Sequence, residues 1–261
     1  MDMGRDPTEN YLLGSLPAAD LVLLRPRLRP GSVDREQDLY APGAPIREIY
    51  FPTCGLVSMV ATLRSGRSIE VGTVAREGVT GLPLYPGATN LPYLVCGQIA
   101  GEGYFLSVED YHDIYTLSPA FRQSIERYLH VLMTVMAQTA ACNGAHDVTQ
   151  RLAKWLLISR DAADGPEFTL TQEYLAAMIG VQRPTVTLAA GELQRAGLFS
   201  YKRGKIRLHD LEGIAQRACE CYATITTEMR ALLRPDPTVA TATTEMRAPL
   251  RPDPTVATAA V

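Results

Sequence analysis

Hydrophobic positions change their spacing several times along the chain, and each change marks a structural boundary. Over residues 10–29 the segment "LPAADLVLLRPRL" carries leucines at helical spacing and predicts a short helical opening. From about 33 to 108 the texture becomes short apolar runs broken by Gly and Pro, as in "EIYFPTCGLVSMVATL" and "SIEVGTVAREGVTG". Turn signals at this spacing predict antiparallel strands folded as a sandwich or roll. Residues 109–160 return to a helical pattern, and "TQRLAKWLLISRDAADG" closes on Asp164-Gly165, a stop signal. Short helices follow over 171–179 and 183–196, then a hairpin in "LFSYKRGKIRLHD" with its turn at Arg203-Gly204, then a helical stretch over 211–233.

The longest helix carries a regular seam. Phe121, Ile125, Tyr128, Leu132, Val135, Thr139 and Cys142 are spaced alternately by four and three residues, a heptad pattern over 119–143. A core helix packed on its own β-domain would show such a stripe. The sharper reading assigns these seven residues to the seam of a parallel homodimer. Leu129, Met133, Met136 and Ala140 flank the seam, so one helix could face both its own domain and a twin.

Residues 171–197 read as two helices and a tight turn. Thr171 caps the first, "TQEYLAAMIG", whose Leu175, Ala176 and Ile179 face inward. Gly180-Val181 makes the turn. The second helix starts near Arg183-Pro184, where a proline sacrifices no hydrogen bond. Val186, Ala189, Ala190 and Leu193 form its buried stripe, which leaves Gln182, Arg183, Thr185 and Thr187 at an exposed N-terminal end. Helix-turn-helix readers present that end to the major groove. Arginine matches guanine, glutamine matches adenine or phosphate, and threonine matches phosphate or a thymine methyl. The hairpin after it adds Lys202, Arg203 and Lys205 as phosphate contacts, and Thr171 is counted among the DNA-facing residues.

Charge strengthens this reading. The chain of 261 residues has a net charge of −3, yet between Val181 and Arg207 six basic residues face a single acid, Glu192, for a local +5. A basic patch on a mildly acidic chain favours phosphate contact at one face rather than general coating of nucleic acid. A hydrophobic fraction of 46% and a charged fraction of 20% fit an ordinary globular protein. The polar start "MDMGRDPTEN" lacks the pattern of a secretory leader, and the five scattered cysteines fit a reducing cytoplasm. No membrane partner is expected. In the tail, "TTEMRALLRPDPTVATA" (226–242) recurs at 243–259 with Pro249 in place of Leu232. Two short copies cannot make a solenoid, and the second is expected to be disordered.

On these residues the chain resembles the cyclic-AMP receptor protein / fumarate–nitrate regulator (Crp/Fnr) family of bacterial transcription factors. The resemblance is strongest over 147–210. There "DVTQRLAKWLL" matches the hinge and first helix of the DNA-binding domain, and the stretch from Thr171 to Asp210 matches its winged helix-turn-helix. It extends more weakly over 16–145. It implies an α+β chain: an N-terminal cyclic-nucleotide-binding-like β-roll (1–118), a dimerisation helix (119–145), a winged helix-turn-helix domain (146–213), a C-terminal helix (214–234) and a duplicated tail (235–261). It also implies a homodimer on a two-fold symmetric double-stranded DNA site, acting on RNA polymerase in the cytoplasm.

The match fails at two places. In the recognition helix Arg183 takes the place of the family's first base-reading arginine, but Pro184 replaces the following glutamate and Leu188 replaces a later arginine. In the sensor domain the family's ribose-holding glutamate falls at Leu82, and its phosphate-holding arginine falls near Leu91-Pro92-Tyr93. Without these anchors no tight cyclic-AMP binding is expected, and the effector is unknown. Arg76 and Glu77 read as an exposed turn pair, with another ligand as their alternative use.

No cofactor, metal or catalytic residue is expected. Cys219 and Cys221 fall on a predicted helix at a spacing that does not share a face. His112, His130, His146 and His209 read as dispersed, without a ligand partner at helical spacing. "GLPLYPG" and "GEGYFLS" lack the Gly-Lys-Ser/Thr of a phosphate loop. The competing reading is a cyclic-nucleotide-binding-like regulatory module that acts through protein partners rather than DNA.

Overall fold

The computed structural model describes residues 5–82, 89–163 and 165–233. Part of the glycine-proline loop beyond Leu82, Asp164 of the stop signal, and the duplicated tail from residue 234 lie outside them. Two short helices, α1 (Tyr11–Gly14) and α2 (Ala18–Leu24), open the chain. Asn10 anchors α1. Its side-chain oxygen accepts from the Leu12 and Leu13 amides, while its amide nitrogen donates to the carbonyls of Pro52 and Gly78, each at 2.8 Å. Asn10 is fully buried and every polar atom of its side chain is satisfied, as burial demands.

Seven antiparallel strands make the roll: β1 (Arg29–Val33), β2 (Asp38–Tyr40), β3 (Glu48–Pro52), β4 (Leu56–Thr62), β5 (Ser68–Val74), β6 (Leu94–Ile99) and β7 (Gly101–Ser107). They form one sheet in the order β1-β7-β3 and another in the order β2-β6-β4-β5. The core between them gathers Val33, Ile49, Phe51, Val57, Val74, Val95 and Leu106.

Helix α3 (Val108–Leu117) leads to α4 (Pro119–Ala145), the longest helix. Ser118 separates them, its hydroxyl accepting from the Phe121 amide at 2.9 Å. The seam assigned above to a dimer faces the other way. Phe121, Ile125, Tyr128 and Val135 are buried in the roll's own core, and Leu132 packs against it. Cys142 is buried among cysteines and Thr139 lines an internal cleft. The reason is steric fit: β5 lies against α4, and Gly78 in the turn after it leaves room for the Tyr128 ring. A Cβ at Gly78 would sit 2.4 Å from that ring, so the intrachain packing requires glycine there. The exposed face of α4 is a different stripe: Glu126, His130, Met133, Ala137, Ala140 and Gly144, again spaced by four and three residues.

After the joint at His146-Asp147 comes α5 (Val148–Ala162), opened by a capping box between Asp147 and Gln150. Then follow β8 (Glu167–Thr169), α6 (Gln172–Ile179), α7 (Arg183–Arg195), β9 (Phe199–Lys202) and β10 (Lys205–Leu208). A second core, containing Leu152, Trp155, Leu156, Leu175, Val186, Leu193 and Ile206, holds these elements together. The single helix expected over 211–233 is two, α8 (Leu211–Arg217) and α9 (Cys221–Leu233), with Ala218, Cys219 and Glu220 between them. Helix α8 crosses the expected boundary at 213, and α9 runs back along α4.

Candidate nucleic-acid interface

Helices α6 and α7 are set at their angle by Gly180. It adopts a left-handed conformation (φ 71°) and ends α6, with its amide bonded to the carbonyls of Ala176 and Ala177. Thr171 caps α6, its hydroxyl accepting from the Tyr174 amide at 3.2 Å. Thr171 is therefore a half-buried structural cap at the start of α6.

Helix α7 buries Val186, Ala189, Ala190 and Leu193 and exposes Gln182, Arg183, Thr185 and Thr187. Gln182 occupies the N-cap but makes no capping bond, so its amide is not committed to the helix. Thr187 is partly committed, its hydroxyl donating to the Arg183 carbonyl at 3.0 Å. Sequence reasoning passed over Leu188 as a contact. It lies on the same face with 75% of its surface exposed. The signal was present: a leucine within an otherwise polar stripe.

Strands β8, β10 and β9 form the wing, with β9 and β10 joined by Arg203 and Gly204. Both adopt positive φ, 51° and 80°. This is the two-residue turn that matches strand twist, and glycine makes its second position inexpensive. Lys202 and Lys205 face each other across the closing pair of the ladder. With Arg203 between them, three cations share one exposed tip. Among the described residues, no acidic side chain lies within ion-pair distance of Lys202, Arg203 or Lys205. Two neighbouring cations are partly neutralised: Arg207 pairs with Glu167 at 3.0 Å, and Arg217 pairs with Glu192 at 3.1 Å.

An exposed helix N-terminus beside a cationic two-residue hairpin is the geometry of a winged helix-turn-helix, and comparison with known proteins agrees. Residues 150–217 match the family model for the Crp-like helix-turn-helix domain. The reading domain is therefore Crp-like. The chain is a DNA-binding transcriptional regulator. Among curated relatives it is similar to the global nitrogen regulator of Synechocystis sp. (strain ATCC 27184 / PCC 6803 / Kazusa), with 27% identity across 70% of this chain and 86% of that one. It is also similar to the global nitrogen regulator of Nostoc sp. (strain PCC 7120 / SAG 25.82 / UTEX 2576), with 28% identity across 67% and 83%. Among solved structures, its fold resembles the c-di-GMP-responsive global regulator CLP of Xanthomonas campestris (TM-score 0.61, 18% identity, 74% of this chain and 99% of that one). It also resembles a CRP-family transcriptional regulator of Thermus thermophilus (TM-score 0.61, 22% identity, 72% and 96%).

The β-roll half differs from the sequence expectation in its details. Leu82 and Leu91 are buried in the roll core, and a Cβ at Gly81 would meet the Tyr40 ring at 2.5 Å. Leu82 and Leu91, two of the residues at the expected anchor positions, are thus buried hydrocarbon. Arg76 and Glu77, read as an exposed turn pair, are half-buried instead. They line a cleft of about 1010 Å³ together with Glu70, Lys154, Trp155 and Arg230. The cleft lies between the roll and the first helix of the reading domain. Burial pushes the Glu77 carboxyl up, against the Ala75 amide that donates to it.

Glu70 is the more informative of the two acids. It accepts from the Ser58 hydroxyl at 2.7 Å. With the Gln98 amide turned so that its nitrogen faces this pair, Gln98 donates to Glu70 at 3.0 Å and accepts from the Trp155 indole at 2.9 Å. Burial nevertheless pushes the Glu70 pKa up to about 7, with the Ser58 hydrogen bond and the charge of Lys154 opposing it. The network joins β4, β5 and β6 to α5.

A second correction concerns the cysteines. Cys219 and Cys221 do not both sit on a helix, because the chain breaks at Ala218–Glu220 and the rule about helical faces does not apply. Cys142 and His146 stand four apart at the end of α4, a spacing that shares a face. The fold brings all four ligand atoms within 4.8 Å of one another.

Proposed function

We propose that this regulator binds a two-fold symmetric operator as a homodimer, without control by cyclic AMP. The observation that carries the DNA-reading part is the exposed, uncapped start of α7 beside the cationic tip of the wing. Arg183 reads a guanine edge, with Gln182, Thr185 and Thr187 reading or bracing alongside it. Lys202, Arg203 and Lys205 hold phosphate, and Thr171 sets α6 over the backbone. Phosphate contacts fix register and base contacts specify sequence, so the two groups have separable effects.

The dimer uses the outer stripe of α4. Met133 is 72% exposed, and Ala137, Ala140 and Gly144 continue its heptad with residues small enough for two helices to approach closely. Independence from cyclic AMP is supported by Leu82 and Leu91, which put buried hydrocarbon at the anchor positions. RNA polymerase is the downstream partner in a bacterial cytoplasm, and the chain has no catalytic role of its own. Among the described residues, no helix is long and apolar enough to cross a membrane.

Genomic footprinting with the purified protein tests the reading as a whole. Protected sites should be two-fold symmetric with half-sites one helical turn apart. Protection should not depend on cyclic AMP. Asymmetric single half-sites, or protection only with cyclic AMP present, would reject the corresponding part.

A further inference from the structure

Three of the five cysteines form a buried cluster with no aliphatic member: Cys142, Cys219 and Cys221. They come from the last turn of α4, the link between α8 and α9, and the first residue of α9. His146, the C-cap of α4, closes the group, and its side chain is 15% exposed. Three thiols and an imidazole, each able to ligate a metal, thus meet at one point.

The distances suggest what lies between. Cys142 Sγ and Cys219 Sγ are 3.6 Å apart, and Cys221 Sγ and His146 Nδ1 are 3.5 Å apart. A tetrahedral zinc ion, with Zn–S of about 2.3 Å and Zn–N of about 2.0–2.1 Å, sets its ligand atoms roughly 3.5–3.8 Å apart. A set whose widest separation is 4.8 Å needs only small side-chain rotations to close on one ion, and it is too tight to bracket a multi-iron cluster.

The surrounding groups fit as well. His146 presents Nδ1 inward, while its Nε2 meets the Glu220 carboxylate at 3.2 Å. A carboxylate on the far nitrogen fixes the ring and its tautomer, the usual support for a metal-bound imidazole. The Gln138 amide donates to Cys221 Sγ at 3.1 Å, which would stabilise a thiolate. Three soft sulfurs and one imidazole, with no side left open to substrate, match zinc better than the hard oxygen-seeking cations.

We propose that Cys142, His146, Cys219 and Cys221 form a closed structural zinc(II) site that clamps the C-terminal helix to the joint between α4 and α5. Binding displaces thiol protons to solvent as zinc–sulfur bonds form, and no electron transfer is involved. Loading would fix the direction in which α5, and with it the reading head, leaves the long helix.

The test uses the full-length protein, purified under reducing conditions without a polyhistidine tag. As isolated it should contain about one zinc per chain, a closed Cys₃His set holding a single ion. After metal exchange, cobalt(II) should give the intense ligand-field bands of tetrahedral geometry together with thiolate-to-cobalt charge transfer. Cys219→Ser and Cys221→Ser should each lower the charge-transfer intensity, and His146→Ala should weaken binding while keeping that band. Glu220 is exposed, so Glu220→Gln should leave the fold intact and weaken zinc binding about 10–100-fold. That variant keeps the test decisive if the cysteine variants fail to fold. The proposal is overturned if the reduced, folded wild-type protein takes up no stoichiometric zinc or cobalt, or if cobalt binds in octahedral geometry. Cobalt binding unchanged in Cys221→Ser and Glu220→Gln would overturn it equally. So would a Cys142–Cys219 disulfide whose reduction restores no metal uptake.

Discussion

Arg67, in the turn between β4 and β5, donates from its guanidinium to the carbonyl oxygen of Gly180, the left-handed residue that ends α6. Ile69 lies over the same glycine, 3.3 Å from where a Cβ would stand. The β-roll half therefore touches the reading head at the residue that sets the angle between its two helices. Tyr174 and Cys96 add a second tie, sharing a hydrogen bond of 3.1 Å. Arg67→Ala should remove the first tie. Arg67 lies at the surface, so the global cost should stay near about 1 kcal/mol. The local effect should be larger: amide hydrogen exchange at Gly180–Gln182 should quicken while the melting temperature barely moves. Unchanged exchange there would show that the hairpin does not restrain the turn.

Arg183 and Lys205 should fail differently. Losing a bidentate guanine contact costs about 1–3 kcal/mol and relaxes preference at one position per half-site. Losing a phosphate contact weakens all sequences alike and flattens the salt dependence. Arg183→Ala should therefore shrink the ratio of operator to scrambled-DNA affinity, and Lys205→Ala should leave that ratio nearly intact. Titrations at several salt concentrations separate the two. An equal loss on both DNAs for Arg183→Ala would make Arg183 a phosphate clamp and move base reading to Gln182, Thr185, Thr187 or the exposed Leu188.

The two stripes of α4 make opposite predictions. Phe121 is buried in the chain's own core, and Phe121→Ala should cost about 3–5 kcal/mol of folding stability. Met133 is exposed in the single chain, so Met133→Glu should leave the fold of a protomer intact and weaken dimerisation by placing like charges opposite each other. Sedimentation velocity and circular dichroism on both variants check this. A Met133→Glu protein that sediments like the wild type would remove the outer stripe from the dimer.

Glu70 gives stability a pH dependence of defined sign. Its folded pKa of about 7 lies above the ordinary value of 4.5, so the unfolded chain releases this proton first as pH rises. The contribution is full below the unfolded value, is lost between the two values, and leaves a constant penalty above about pH 7. At about 1.36 kcal/mol per unit, that penalty is on the order of 3 kcal/mol. Glu70→Gln should raise the melting temperature near pH 8 and leave it almost unchanged near pH 4. Trp155 is the chain's single tryptophan and bonds to Gln98 in the same network, so its fluorescence should titrate with Glu70 in the wild type alone. Equal gains at both pH values would mean that Glu70 stays ionised in the fold.

Much of the architecture followed from local rules acting over a few residues. The start of α7 at Arg183-Pro184, the turn at Arg203-Gly204, the cap at Thr171 and the buried stripe of Val186, Ala190 and Leu193 each depend on neighbours close in sequence, and sequence alone determined them. The heptad of α4 was also legible, but not the side it faces. A period states that a stripe is buried, while the neighbour that buries it is a tertiary fact. Here Gly78 lets the turn after β5 approach α4, so Tyr128 packs inward with Phe121 and Met133 is left outside. The same limit hid the cysteine cluster. Cys142 and Cys219 are 77 positions apart, and the break at Ala218–Glu220 that aims Cys219 and Cys221 together is visible only once α9 is laid along α4. Glu77 read as half of an exposed turn pair in sequence, because burial belongs to the packed domains and not to the residues. Local chemistry determined the elements and the reading head; the cleft, the outward face of the long helix and the four-ligand cluster exist only because distant segments pack.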